Sequence, residues 1–182
     1  MRVDWFPPEV VVATHNRGKL DEWRSLLGSI GVAVRSADEL GLPEPDETES
    51  TYRGNARLKA RAAARHTGQP ALADDTGFEA ESLGDRPGVL TAPWAAEHGG
   101  YPDALHELIR RAGAGTPGRL VCAVALATPE SLIDDEAFID GTIRAVPSNA
   151  PGFAAILETE TDLMRDGVLA HRRAAFERLT SR

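Results

Sequence analysis

Consecutive apolar, β-branched positions run through Glu9-Val-Val-Val-Ala-Thr14, after which the pattern changes to apolar residues at Leu20, Trp23, Leu27 and Ile30. A continuous apolar run predicts a buried strand, and a spacing of three and four predicts an amphipathic helix, so the chain begins as strand, turn and helix. Val32 to Ser36 predicts a second strand, and Gly41 to Glu47 a proline-containing acidic loop. Thr51 to His66 is rich in alanine, starts at a hydroxyl and stops before Gly68, which predicts a helix with both ends signalled. Pro70 to Ala73 predicts a short buried strand that ends at Asp74 and Asp75, and Gly84 to Gly88 a turn.

The second half reads differently. Pro102 to Arg111, with Leu105, Leu108 and Ile109 inward, predicts a helix opened by proline and closed by Gly113. Gly113 to Gly118 is glycine-rich but precedes a strand instead of opening a helix, so it reads as a connector and not a phosphate cradle. Two strands follow in succession, Arg119 to Thr128 and Glu136 to Val146, with a turn starting at Pro129. A loop from Pro147 to Gly152 leads into Phe153 to Leu157. Leu169, Arg172, Phe176 and Leu179 then mark a closing amphipathic helix. Alternating elements followed by segregated strands predict an α/β fold with a mixed sheet. With no internal repeat and no linker, residues 1 to 182 read as a single domain.

Composition narrows the function. A chain of 182 residues is long enough for one real core. A formal net charge of -8 argues against a protein that coats a nucleic acid polymer, because that task needs a basic face to release counterions. A single nucleotide is not excluded, since two or three lysines, helix N-terminal amides and a metal ion suffice for a triphosphate. No apolar run approaches the ~20 residues of a membrane span, and Met1 to Pro8 lacks the apolar core of a leader, which predicts a cytoplasmic protein without membrane contact. The one cysteine, Cys122, lies in the apolar run Leu120 to Leu126 and reads as a small core residue; no metal site of the Cys or His type is visible.

Three stretches could carry chemistry. Ala71-Leu-Ala-Asp-Asp-Thr-Gly-Phe78 puts two adjacent carboxylates at a strand end, where they could hold a divalent cation and ready a water; the same residues also suit an ordinary turn. Thr14-His-Asn-Arg-Gly-Lys19 gathers a hydroxyl, an amide and an ammonium at a helix N-terminus, which favours an anion, although Asn16 would equally serve as a plain cap beside a solvated Lys19. Asn55 and Lys59 stand four apart on one helix face, a pairing that on its own is most often surface.

The order of these motifs carries more than any one of them. Thr14-x-Asn16-x-x-Lys19, the stretch from Glu47 through Thr51, Tyr52, Asn55 and Lys59 to Ala60, Ala73-Asp-Asp-Thr-Gly77, Pro87-Gly-Val89 and His171-Arg172 together resemble the inosine triphosphate pyrophosphatase family. Those enzymes hydrolyse non-canonical purine nucleoside triphosphates such as ITP, dITP and XTP to monophosphate and pyrophosphate. The resemblance is collinear from residue 10 to about 90 and scattered beyond. It implies an elongated mixed, twisted sheet with flanking helices, two lobes around a central nucleotide cleft, and a homodimer. It also implies roles: Asp75, Lys19 and Lys59 catalytic; Glu47, Asp74 and Asp75 holding Mg²⁺; and Thr14, Asn16, Lys19, Asn55, Lys59, Thr76, Gly77, Phe153, His171 and Arg172 around the nucleoside triphosphate.

The second half departs from the family's pattern. Ile156 stands where an aspartate is expected, Asp166 or Arg165 near an expected lysine, Ala170 for a serine and Pro93 for an arginine. A pocket that has lost these groups loses hydrogen bonds to a 6-oxopurine, and polar readout is where large discrimination arises. The resemblance therefore implies an intact triphosphate end and a rewritten base end. Two other readings stay open at this point: a pyrophosphatase for a pyrimidine or modified nucleotide, and a non-catalytic nucleotide-binding homologue.

Overall fold

The computed structural model describes residues 5–181, and the first four residues of the segment read above as lacking a leader lie outside the described residues. Val10, Val11 and Val12 form β1 (Glu9–Val12), and the helical spacing that follows forms α1 (Arg17–Ser29), which buries Leu20, Trp23, Leu26 and Leu27. Asn16 caps α1, its side chain accepting from the Lys19 backbone N–H at 3.1 Å. After β2 (Ala33–Ser36), α2 (Tyr52–Thr67) runs from the Thr51 hydroxyl, which accepts from the Gly54 N–H, to Gly68 in the left-handed conformation. These are the start and stop that its sequence signals.

The remaining elements are β3 (Ala71–Ala80), β4 (Arg86–Gly88), α3 (Thr91–Glu97), α4 (Tyr101–Ala112), β5 (Pro117–Ala127), β6 (Leu132–Ile143), β7 (Leu157–Glu158), β8 (Met164–Arg165), β9 (Val168–Leu169) and α5 (Ala170–Thr180). Seven strands form one mixed sheet in the order β2-β1-β3-β5-β6-β7, with β4 joined to β3; β8 and β9 form a separate hairpin. β1 is parallel to β2 and β3, and the pairs from β3 through β7 are antiparallel. The mixed sheet follows from the alternation of strand and helix early in the chain and the succession of strands later.

Successive side chains of a strand point to opposite faces, and here the two faces carry different layers. Leu72, Cys122, Val124 and Leu126 pack against Trp23 and Leu27 of α1 and Phe176 and Leu179 of α5. On the other face Ala71, Ala73, Ala123 and Ala125 meet Ala56, Ala60, Ala63 and Ala64 of α2, small residues that let the helix lie close. Further along, Phe78 and Leu120 join Leu105 and Leu108 of α4 with Phe153 and Ile156 in another apolar cluster. Cys122 is buried and free, and burial pushes its thiol pKa up, in keeping with a core residue.

The expected strand end at Ala73 is corrected by the structure. β3 continues for ten residues through Asp74, Asp75, Thr76 and Gly77, all paired in register with Val124, Ala123, Cys122 and Val121 of β5. A turn leaves its carboxylates in water, whereas these two are buried against cations, so nothing ends the strand there. Gly77 is a matter of close approach: a Cβ there would lie 2.3 Å from the Gly88 carbonyl oxygen and 2.7 Å from the Tyr52 ring. β6 also begins at Leu132, earlier than the expected Glu136.

Candidate active site

A break in the sheet opens the site. Along one edge of β3 the last residue paired with β1 is Leu72, and the first paired with β4 is Phe78. Between them the edge of β3 carries no strand, and the loop before α1, the acidic loop before α2 and the start of α4 gather around the gap. Two cavities of about 200 and 320 Å³ lie there, sharing Asn16, Lys19, Thr76 and Tyr101 as walls. The second is at the lower end of the usual range of small-molecule sites, and the two joined fall well inside it.

The first cavity is lined by Thr14, Lys19, Glu47, Lys59 and Asp75. Lys59 lies between the two carboxylates, its Nζ 2.8 Å from Glu47 Oε1 and 3.2 Å from Asp75 Oδ1. Asn55 donates from Nδ2 to Asp75 Oδ2 at 3.2 Å and accepts from the Glu49 N–H at 3.0 Å, so one side chain of α2 ties the acidic loop to the carboxylate. Burial pushes the Asp75 carboxyl above its ordinary value, Glu47 adds to this, and Lys59 opposes it. Burial works against the Lys59 ammonium, but Asp75, Asp74 and Glu47 outweigh it and hold its pKa high.

Asp74 faces the other way. Its carboxylate is fully buried and accepts from Trp23 Nε1 at 2.8 Å, with Lys19 Nζ at 3.0 Å and Arg172 Nη2 at 3.3 Å. Burial alone would raise its pKa; Lys19, Arg172 and Lys59 with the indole N–H overcome that and hold it well below the carboxylate range. Arg172 is also paired through Nη1 with Glu22, which accepts from the Leu169 N–H at 2.8 Å. Trp23, Lys19, Asp74, Arg172 and Glu22 thus form one buried polar network joining α1, β3 and α5.

The second cavity contains Gly77, Phe153, His171 and Arg172. His171 is buried with no hydrogen-bond partner at Nδ1 among the described residues, and burial with the neighbouring Arg172 and Lys19 holds its pKa down at about 3. The imidazole is neutral near pH 7. Phe153 is 5% exposed and stacks on Phe78 with ring centroids 5.7 Å apart. Ile156 is fully buried beside it, while Asp166 and Arg165 are exposed on the β8–β9 hairpin and Pro93 is exposed on α3.

The structure therefore brings Thr14, Asn16, Lys19, Glu47, Lys59, Asp75, Thr76, Gly77, Phe153, His171 and Arg172 to the two cavities, with Asn55 behind Asp75, reaching the site through its hydrogen bond to that carboxylate. It does not bring Glu47, Asp74 and Asp75 together: adjacent positions on a strand face opposite sides, and Asp74 is taken up by two cations and an indole. Among the described residues no three His, Cys, Asp or Glu side chains converge as a metal site. Sequence reasoning missed Glu22, whose only signal is its place one turn from Lys19, and Tyr101, which reads as an ordinary helix start.

The model of the Ham1 family matches residues 10–181. A dITP/XTP pyrophosphatase of Rhodospirillum centenum is 39% identical over an alignment of 189 residues, covering 95% of this chain and 93% of that protein. One of Rhodopseudomonas palustris is 41% identical over 153 residues, covering 80% of this chain and 73% of that protein. The solved structure of a HAM1 protein from Coxiella burnetii matches with a TM-score of 0.79 at 28% identity, over 95% of this chain and 96% of that one. A nucleoside-triphosphatase / dITP/XTP pyrophosphatase from Mycobacterium abscessus matches with a TM-score of 0.64 at 32% identity, over 95% of each chain. With the family model matching residues 10–181 and a relative 39% identical over 95% of its length, the chain belongs to the Ham1 family.

Proposed function

We propose that this chain hydrolyses non-canonical purine nucleoside triphosphates of the dITP and XTP type to the monophosphate and pyrophosphate. The observation that carries the reading is Lys59 set between Glu47 and Asp75 in a cavity that also presents Lys19 and the capped N-terminus of α1. Cleavage of a phosphoanhydride needs neutralisation along the triphosphate and a base that readies water for in-line attack. Lys59 and Lys19 provide positive charge, and Thr14 with the amides at the start of α1 accommodates phosphate oxygens. Asp75, which opens onto the cavity beside Lys59, takes the proton of the attacking water. Asn55 fixes its second oxygen.

The same residues fit Mg²⁺. Lys59 marks a position between two carboxylates where a cation is already favoured, and Mg²⁺ sites commonly use one or two carboxylates completed by water and substrate phosphates. Glu47 and Asp75 would hold it, without Asp74. When bound, Mg²⁺ supplies polarisation of the phosphates and a more acidic water. The reading also takes the chain as one unit of two lobes about the cleft, acting as a homodimer in the cytoplasm; no described helix is long and apolar enough to cross a membrane.

Pyrophosphate release measured with ITP, dITP, XTP and the ordinary nucleoside triphosphates in the presence of Mg²⁺ tests the function. Release from the non-canonical purines supports it. Folded protein that releases pyrophosphate from none of the panel removes it, and activity confined to dTTP, UTP or their modified forms would replace it with a pyrimidine function.

A further inference from the structure

Histidines aside, two aromatic side chains line the joined cavities among the described residues, Phe153 and Tyr101. The family resemblance points to Phe153 as the ring that meets the base, but this ring is already engaged. Its face stacks on Phe78 at an interplanar angle of 29°, Trp94 lies 6.1 Å away, and only 5% of the residue is exposed. Tyr101 is the opposite case. It is 42% exposed, lines both cavities, and touches Phe153 edge to face at 5.8 Å. It stands at the first residue of α4, just after Gly99 and Gly100, whose φ angles of 83° and 96° make a turn that favours glycine. Gly152 lies opposite, where a Cβ would come within 3.7 Å of the tyrosine ring.

We infer that Tyr101 is the aromatic surface on which the nucleobase lies, with Phe153 as its buttress. The inference rests on the function proposed above and names the residue that meets the base in that site. An open aromatic face at the junction of a phosphate cavity and a largely apolar one is placed where a nucleoside joins its phosphates. The surroundings suit stacking more than hydrogen bonding. Ile156 is buried, Asp166 and Arg165 are exposed on the hairpin, and both Nη groups of Arg172 are taken by Glu22 and Asp74, which leaves His171 Nδ1 and Arg172 Nε as the unpartnered polar atoms of these two residues. Stacking holds any base by its π-face, so this contact supplies affinity and leaves the choice among purines to the polar groups around it.

Inorganic tripolyphosphate, which has phosphates and no base, isolates the effect. Dissociation constants for ITP and tripolyphosphate, with Mg²⁺, are compared by calorimetry in the Asp75→Asn background, where turnover is suppressed, for Tyr101, Tyr101→Phe and Tyr101→Leu, with thermal melting to show that each variant is folded. A base–aromatic contact predicts about tenfold weaker ITP binding in Tyr101→Leu, near-normal binding in Tyr101→Phe and unchanged tripolyphosphate binding in both. An equal loss for tripolyphosphate, or full ITP affinity in Tyr101→Leu, overturns the assignment while leaving the hydrolysis intact. A wild type that hydrolyses no nucleoside triphosphate strikes at the proposed function instead and takes this inference with it.

Discussion

Asp74 and Asp75 are neighbours in the chain, yet their carboxylates end on opposite faces of β3, one 3.0 Å from Lys19 and the other 3.2 Å from Lys59. The alternation of a strand separates a buried anchor from a carboxylate that opens onto a cavity. The two should fail differently when neutralised. Asp75→Asn keeps the shape and a hydrogen bond to Asn55 but cannot accept a proton from water. Turnover should fall by about 10²–10⁴, the usual contribution of a general base, while the melting temperature changes little. Pyrophosphate release beside a thermal melt decides it, and near-normal turnover would remove Asp75 from the proton transfer.

Asp74→Asn should act on the fold first. The substitution leaves Lys19 and Arg172 facing each other without their shared anion inside the protein. Breaking one partner out of a buried ionic group costs about 3–5 kcal/mol, which in a domain of this size corresponds to a drop in melting temperature on the order of 10 °C. Phosphate affinity should fall as well, because Lys19 loses the group that fixes its ammonium. An unchanged melting temperature would show that the network carries no net stability.

Glu47→Gln separates the loop carboxylate from its lysine. Lys59 stays beside Asp75, so nucleotide should still bind, but one of the two oxygen donors assigned to Mg²⁺ becomes neutral. The Mg²⁺ concentration for half-maximal activity should rise, with saturating Mg²⁺ restoring part of the rate. A Mg²⁺ titration identical to that of the wild type would place the ion elsewhere.

His171 gives a pH window. Its pKa in the folded protein is held at about 3, against 6.5 for an ordinary histidine, so the neutral imidazole favours the fold and the charged one opposes it. This contribution is complete above about pH 6.5 and is lost as pH falls toward 3. The charged groups acting on it are Arg172 and Lys19, which disfavour protonation, and Asp74, which favours it. Asp74 is held below the carboxylate range and cannot account for losses above pH 4. Melting temperatures from pH 7 to 4.5 should therefore fall for the wild type and fall less for His171→Asn; parallel curves would assign the acid sensitivity to another group.

The parts of the site that act locally were legible in the sequence. Asn16 and Thr51 cap their helices where the spacing places them, and Asn55 and Lys59 share the face of α2 that meets Asp75. What the sequence hid depends on contacts far along the chain. The continuation of β3 through Asp74 and Asp75 needs Lys19, Lys59 and Arg172 to neutralise two buried carboxylates, and no window around residue 74 contains them. Glu22 and Tyr101 were obscured for the same reason, as each becomes part of the site through a partner more than fifty residues away, Arg172 for the first and Phe153 for the second.

Ile156 lets the altered base end be tested from the side of the fold. The resemblance places an aspartate at this position, and restoring it by Ile156→Asp would be the obvious route to a purine reader. In this structure the side chain is fully buried in the cluster with Phe78, Leu108 and Phe153, with no cation among those neighbours to meet a carboxylate. An unpaired buried carboxylate is costly and stays protonated by shifting its pKa upward. Ile156→Asp should therefore destabilise the protein by several kcal/mol, more at pH 8 than at pH 5, because ionisation adds to the penalty. Chemical denaturation at the two pH values measures both effects. A stable variant with sharpened preference for ITP over GTP would instead show that the segment from Gly152 to Ile156 can turn its side chain into the cleft, and that the base end retains the geometry of a polar reader.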